Sequence, residues 1–238
     1  MLPKEKTKPK QSISDLTVLI YGPSKFGKST WASQAEHTLF LATEPGLNSL
    51  EVFQVPITSW EKFLTVCKEL SEEKHGFKTV VVDTVDVLFK LCSEYVCKKQ
   101  SVEHPSDLGY GKGFALINNE FARVLNKLAF LPTDLLFISH SQEREFETRT
   151  GKLTKTVPTL PEKARHYLLS FVDITLYCDL VPVQNENGPT TFDRVLRTKP
   201  SPNYEAGDRT GRLPETIPFK YRAFQEAFQV QRKDAAKP

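Results

Sequence analysis

The sequence lacks the features that would place it in an oxidising compartment, in a membrane, or on a metal as a zinc protein. Its 4 cysteines, Cys67, Cys92, Cys97 and Cys178, show none of the paired CxxC spacing of a structural zinc site. No signal-peptide pattern opens the chain, so the expectation is reduced thiols packed in a core. No apolar run approaches the roughly 20 residues of a membrane-spanning helix, which makes a soluble, cytoplasmic protein the expectation. Net charge is also scarce, because 32 basic residues face 29 acidic ones and leave only +3. No global field advertises nucleic acid, and any anionic partner has to be held by a local patch. Internal repeats are absent.

What is present suffices for one substantial core: 238 residues, 39% of them apolar. The opening "MLPKEKTKPKQSIS" carries Lys4, Lys6, Lys8 and Lys10 with nothing to bury and reads as a disordered basic arm over 1–14. A single domain is expected over 15–232, followed by a short tail at 233–238. Within it "LTVLIY" (16–21) is a continuous apolar run, the mark of a strand covered on both faces, and "STWASQAE" follows as a helix.

"TLFLAT" (38–43), "KTVVVD" (78–83) and "DLLFIS" (134–139) read as further buried strands. Between them lie helical stretches. In "TSWEKFLTVCKELSEEKHG" the residues Trp60, Phe63, Leu64, Cys67 and Leu70 share a face, with Thr58 and Glu61 spaced as a capping box and Gly76 as the stop. "VDVLFKLCSEYVCKK" reads as the next helix, and "INNEFARVLNKLAFL" places Ile117, Phe121, Val124, Leu125 and Leu128 at helical spacing. Alternating strand and helix imply an α/β fold, a mostly parallel central sheet flanked by helices. The second half reads as an antiparallel extension. "EFETRTGKLTKTV" forms a polar hairpin, "KARHYLLSF" a helix, and "VDITLYCDLVPV" and "FDRVLRTK" strands joined across "QNENGPTT". A last amphipathic helix follows Pro218.

The stretch "GPSKFGKST" sits between the first strand and its helix and fits G-x-x-x-x-G-K-[ST]. Gly22, Pro23, Ser24, Lys25, Phe26, Gly27, Lys28, Ser29 and Thr30 then form a phosphate loop. Its glycines let backbone N–H groups converge on phosphate oxygens, Lys28 reaches the β- and γ-phosphates, and the Ser29 hydroxyl faces Mg²⁺. ATP and Mg²⁺ are the expected cofactors. Asp83 ends the "VVVD" strand and is read as the acid on the metal side, with Asp86 the weaker candidate. Glu44, in "FLATEPG", either orients and deprotonates the attacking water or is a loop carboxylate. His140, in "LLFISHS", either donates to the γ-phosphate or is a loop histidine satisfied elsewhere.

In this order the motifs "YGPSKFGKST", "LATEPG", "VVVDTVD" and "FISHSQE" resemble the RecA-like core ATPases, closest to the compact Sak-type ATP-binding proteins associated with phage single-strand annealing. The resemblance runs from about Leu16 to Phe219 and departs from the bacterial recombinases at His140, where their sensor strand carries glutamine. It implies an ATPase that assembles as a homo-oligomeric ring or filament, hydrolyses with help from Glu44, senses through His140 and works in the host cytoplasm. Single-stranded DNA is the implied partner, met by loops near "KKQSVEHPSDLGYGKG" and "REFETRTGKLTK". A phage single-strand annealing or single-strand-binding protein is a further implied partner.

The second of these loops carries Arg144, Arg149, Lys152 and Lys155 among Glu143, Glu145 and Glu147. Phe146 and Tyr110 either stack on bases or pack on the sheet. Arg197, Lys199 and Arg209 are candidates for completing a neighbour's site in trans, or for surface ion pairs. Two other functions fit the phosphate loop: a P-loop kinase for a small acceptor, and a nucleotide-gated adaptor for another replication protein.

Overall fold

The computed structural model describes residues 2, 5, 6, 10, 12–131, 133–149, 151–184 and 189–234. Lys4 and Lys8 of the expected arm, the end of the expected tail and part of the "QNENGPTT" turn lie outside them. Among the described residues the first element is a 3-10 turn, Ile13–Asp15, whose Ile13 is buried.

Six strands form a continuous parallel sheet in the order β7 (Ile174–Val183), β1 (Val18–Gly22), β5 (Asp134–Thr148), β4 (Thr79–Asp83), β2 (Thr38–Ala42) and β3 (Phe53–Pro56). Beyond β7 the sheet turns antiparallel through β8 (Thr191–Arg197) and β10 (Thr216–Pro218), while β9 (Gly207–Asp208) pairs with β7. β1, β2 and β4 are buried along their whole length, as their unbroken apolar runs require of strands covered on both faces.

Alternate side chains of these strands feed two cores. Leu19, Leu41, Val82 and Phe137 pack with α2 (Trp60–Glu72), α3 (Val85–Lys99), α4 (Lys112–Leu128) and α5 (Glu162–Phe171). Ile20, Phe40, Val81 and Ile138 pack on the other face with Trp31 of α1 (Lys28–Ala32) and with Phe224 and Phe228 of α6 (Tyr221–Asp234). Each such fully buried side chain contributes about 1.5–3 kcal/mol, against about 0–1 for an exposed ion pair. Burial across the sheet therefore holds the fold.

Several expectations need correction. The helix after the phosphate loop stops at Ala32, well short of Glu36. The cap of α2 is Ser59, whose side chain accepts from the Lys62 N–H at 3.1 Å, and the helix ends at Glu72, before Gly76. That phase buries Trp60, Phe63, Val66 and Leu70 and leaves Leu64 and Cys67 half-buried. β3 was not expected at all. It is an exposed edge strand ending in Pro56, a position where the missing N–H costs nothing. β7 belongs to the parallel core, pairing with β1 from Val18↔Ile174, so the antiparallel extension starts one strand later, at β8.

Candidate active site

The strand order sets the site. Because β5 lies between β1 and β4, the carboxyl ends of β1, β4 and β2 and the point where β5 leaves its parallel neighbours deliver Gly22, Asp83, Glu44 (two residues beyond Ala42) and His140 to one edge of the sheet. Open α/β sheets bind ligands at that edge. A cleft of about 480 Å³ opens there, lined by Ser24, Lys28, Ser29, Glu44, Asp83 and His140 among others.

The loop between β1 and α1 turns through two residues in the left-handed region, Lys25 at φ 61° and Gly27 at φ 101°. Positive φ is free of steric cost only for glycine, and alternating conformations of this kind turn successive N–H groups inward. Gly22 has a different reason to be glycine: a Cβ there would stand 2.5 Å from the Cys178 Cβ on β7. The parallel β1–β7 contact thus depends on it.

Lys28 is 5% exposed, and its ammonium donates to the carbonyls of Gly22 at 2.9 Å and Pro23 at 2.7 Å. Burial lowers its pKa from the usual value, while the nearby acids Cys178, Asp83, Asp86 and Glu44 act in the opposite sense. The Ser29 hydroxyl donates to Asp83 Oδ2 at 2.6 Å. Burial raises the Asp83 carboxyl, and the bond from Ser29 lowers it.

On the other side of the cleft, His140 bridges two elements. Its Nδ1 lies 3.1 Å from Ser24 Oγ, and its Nε2 lies 3.5 Å from Glu44 Oε1. Glu44 Oε1 also accepts from the Thr84 hydroxyl at 2.8 Å, and the Thr84 N–H donates to Thr43 Oγ1 at 2.7 Å. Asp86 turns away from Ser29: its carboxylate accepts from Ser139 Oγ at 2.6 Å and from the His140 N–H at 2.7 Å.

The structure therefore gathers Lys28, Ser29, Asp83, Glu44 and His140 in one cleft. Ser24, Lys25, Phe26, Gly27 and Thr30 of the expected phosphate loop line it too, whereas the expected trans-acting and DNA-binding residues lie elsewhere. Arg197 pairs with Asp179 at 2.9 Å, Lys199 with Asp208 at 3.8 Å, and Arg209 donates to the Ser170 carbonyl. Arg144, Lys152 and Lys155 sit on a hairpin that β5 makes with β6 (Gly151–Pro158), with Arg149 exposed at its turn.

Two neighbours of the cleft went unread in the sequence. Thr84, hidden beside Asp83, holds Glu44. Arg194 on β8 donates to the Phe26 carbonyl at 2.9 Å and lies over the Phe219 ring. Nothing local marks Arg194, which is 168 residues from Phe26; only the pairing of β8 with β7 brings it there.

The cysteines are free thiols, three of them buried, and among the described residues no His, Cys, Asp and Glu cluster forms a metal site of the zinc kind. Nor, among those residues, is any helix long and apolar enough to cross a membrane.

A glycine-lined loop on a buried strand, a buried lysine within it, and a hydroxyl–carboxylate pair at the sheet edge define a P-loop NTPase core. Residues 14–210 match the family described as an AAA domain, and the chain belongs to that family. The chain is also 30% identical over 166 residues to the SPbeta prophage-derived uncharacterized protein YorG of Bacillus subtilis (strain 168), an alignment that takes in 67% of this chain. It spans 49% of that protein, about half its length.

Proposed function

We propose that this protein binds ATP with Mg²⁺ and hydrolyses it in the manner of the RecA-like, Sak-type ATPases, and that it acts on single-stranded DNA in phage recombination, annealing or replication in the host cytoplasm. The observation that carries the reading is the convergence of Lys28, Ser29, Asp83, Glu44 and His140 on one cleft at the carboxyl ends of the strands.

The donor set fits a magnesium triphosphate. The Ser29 hydroxyl and the Asp83 carboxylate are hard oxygen donors of the type Mg²⁺ takes, already 2.6 Å apart. The Lys28 ammonium is buried against two carbonyl oxygens and, among the described residues, no carboxylate hydrogen-bonds to it, so a phosphate oxygen is a better partner than those it has. When bound, Mg²⁺ neutralises charge on the phosphates. Lys28 would hold the β- and γ-phosphates. Glu44, with Oε1 committed to Thr84, keeps Oε2 for orienting and deprotonating water. His140, whose ring nitrogens lie 3.1 Å from Ser24 Oγ and 3.5 Å from Glu44 Oε1, would donate to the γ-phosphate.

Single-stranded DNA enters through the hairpin that continues β5 beyond His140. Strand alternation sorts its charges: Arg144 and Phe146 fall on one face with Lys155, while Glu143, Glu145 and Glu147 fall on the other with Lys152. The mixed sequence thus becomes one basic and one acidic face. Arg144 and Lys155 are directly opposed, like charges that Glu205, 3.9 Å from the Lys155 ammonium, offsets in part. Arg165 of α5, fully buried and 3.7 Å from Glu205 Oε2, packs near Phe146 and props that face of the hairpin without presenting charge to a ligand. Tyr110, fully exposed between Gly109 and Gly111, offers a second stacking surface.

A homo-oligomeric ring or filament remains part of the proposal. Arg197, Lys199 and Arg209 would have to exchange their internal partners to serve a neighbouring subunit. A phage annealing or single-strand-binding protein is the proposed protein partner, and the prophage origin of the relative supports that setting.

The test is phosphate release from ATP with and without single-stranded DNA, first with no acceptor and then with a small acceptor added. Release that rises with DNA supports the reading. Transfer to an added small acceptor in place of release would make the protein a kinase. Nucleotide binding without release would make it a nucleotide-gated adaptor.

A further inference from the structure

Ser139 and His140 stand where β5 changes neighbours. Its pairing with β4 ends at Asp83↔Ile138, its pairing with β1 ends at Gly22↔His140, and its pairing with β6 begins at Ser141↔Pro158. On the β4 side the strand partner is therefore gone, since the chain has turned at Thr84 into α3. The first turn of α3 supplies a substitute. Asp86 Oδ2 accepts the His140 N–H at 2.7 Å, and Oδ1 accepts the Ser139 hydroxyl at 2.6 Å. The His140 carbonyl in turn accepts the Thr159 N–H at 3.0 Å, from the far strand of the hairpin. The backbone of His140 is thus held through its N–H by α3 and through its carbonyl by the hairpin, while its ring reaches Ser24 and Glu44.

We propose that Asp86 is a positioning residue, not a metal ligand: by standing in for the missing strand it fixes the backbone of His140, and through it the imidazole's reach to the γ-phosphate and the direction in which the hairpin leaves the sheet. The inference rests on the nucleotide reading of the cleft and adds a residue to it. Two charge-assisted bonds to one carboxylate make a firm anchor, and Asp86 in the first helical turn also faces the favourable end of the α3 dipole. Lys28 and Ser29 are held by their own contacts, to the Gly22 and Pro23 carbonyls and to Asp83, which do not pass through this anchor; its effect is therefore expected in the preference for a triphosphate over a diphosphate.

The experiment measures the affinities of fluorescent ADP and of a fluorescent non-hydrolysable ATP analogue, each across a Mg²⁺ series, in the wild-type protein, Asp86→Ala and Asp86→Asn. The wild type is expected to prefer the analogue. Asp86→Ala should cut that preference about tenfold, equivalent to about 1.4 kcal/mol, with ADP affinity within about twofold of wild type. The His140 amide should lose its protection from hydrogen exchange in the same variant. Asp86→Asn keeps an oxygen for the His140 N–H and can donate to Ser139 Oγ, so its preference and its Mg²⁺ midpoint should stay at wild-type values.

A wild-type preference in Asp86→Ala overturns the inference. So does a shifted Mg²⁺ midpoint in Asp86→Asn, which would make the carboxylate's charge the working part. The Asp86→Asn result stands even if Asp86→Ala does not fold. A wild-type protein that binds neither nucleotide overturns the nucleotide reading itself, and this inference with it.

Discussion

The Thr84 hydroxyl donates to Glu44 Oε1 at 2.8 Å, so the residue that follows Asp83 on one strand holds the carboxylate at the end of the next. The Thr84 N–H and carbonyl are tied in the same way to the Thr43 hydroxyl. A Thr84→Val protein keeps the shape and the backbone bonds but frees Glu44 to rotate. Its ATP turnover is expected to fall about tenfold with nucleotide affinity unchanged, as for loss of an interaction made in the transition state. Thr84→Ser should restore turnover. Steady-state kinetics beside equilibrium binding make the comparison.

Glu44→Gln and Lys28→Ala should separate chemistry from binding. The glutamine variant retains the Thr84 contact but cannot take a proton, so turnover should drop about 10²-fold while ATP is still bound. Lys28→Ala removes the buried ammonium, and binding itself should fail. Turnover of Glu44→Gln within twofold of wild type would make Glu44 a loop carboxylate.

The sorting of charge on the hairpin gives a test of the DNA reading. Arg144→Ala with Lys155→Ala should weaken single-strand binding and reduce its salt slope by about 0.7 per lost phosphate contact. Lys152→Ala should do little, because Lys152 lies on the acidic face, 3.0 Å from Glu145 Oε2. Fluorescence anisotropy across a salt series reads both. Equal losses in the two proteins would place the DNA elsewhere on the hairpin.

Asp134, at the start of β5, provides a pH signature far from the cleft. Burial pushes its carboxyl up to about 6, helped by Asp15 and Glu36 and opposed by a hydrogen bond from Thr79. The folded state therefore holds this proton more tightly than the unfolded chain, whose aspartates titrate near 3.9. The stabilising contribution is full below about pH 4 and is lost as pH rises through about 6. Asp134→Asn should flatten that window and raise stability at pH 8 by about 1 kcal/mol after solvent screening, or about 2–4 °C in Tm. Thermal melts from pH 4 to 8 would show it.

The parallel core was legible because its strands are apolar runs covered on both faces and its helices are long and periodic. α3 starts and stops where "VDVLFKLCSEYVCKK" does, and all five apolar positions expected in α4 are buried. The cleft was legible because its residues end a strand, as Asp83 does, follow one, as Lys28, Ser29 and Glu44 do, or stand where β5 leaves the parallel sheet, as His140 does, and a parallel sheet brings those points together.

What escaped depended on long-range pairing or on local choices between near equals. β3 is short and mostly exposed, so it has no periodicity to read. Thr58 and Ser59 are both good caps, and the burial of Trp60 decides between them. β7 looks like an antiparallel strand until α5 carries the chain back across the sheet to lie beside β1. The hairpin's charge balance, nearly neutral as a string, becomes two-faced only once the register is known.

β5 is a single strand from Asp134 to Thr148, and the part beyond His140 is 8 residues long. At about 3.4 Å per residue that is roughly 27 Å of paired backbone projecting from the cleft. Geometrically it is a lever arm whose short end is His140. Such an arm multiplies motion: a tilt of about 5° at its root carries the tip by roughly 2 Å over that length. The arm is braced along its length, by the Thr156 N–H on the Asn203 carbonyl at 2.8 Å and by Arg165 of α5 lying 5.9 Å from the Phe146 ring, so any tilt at His140 has to be shared with the elements it leans on.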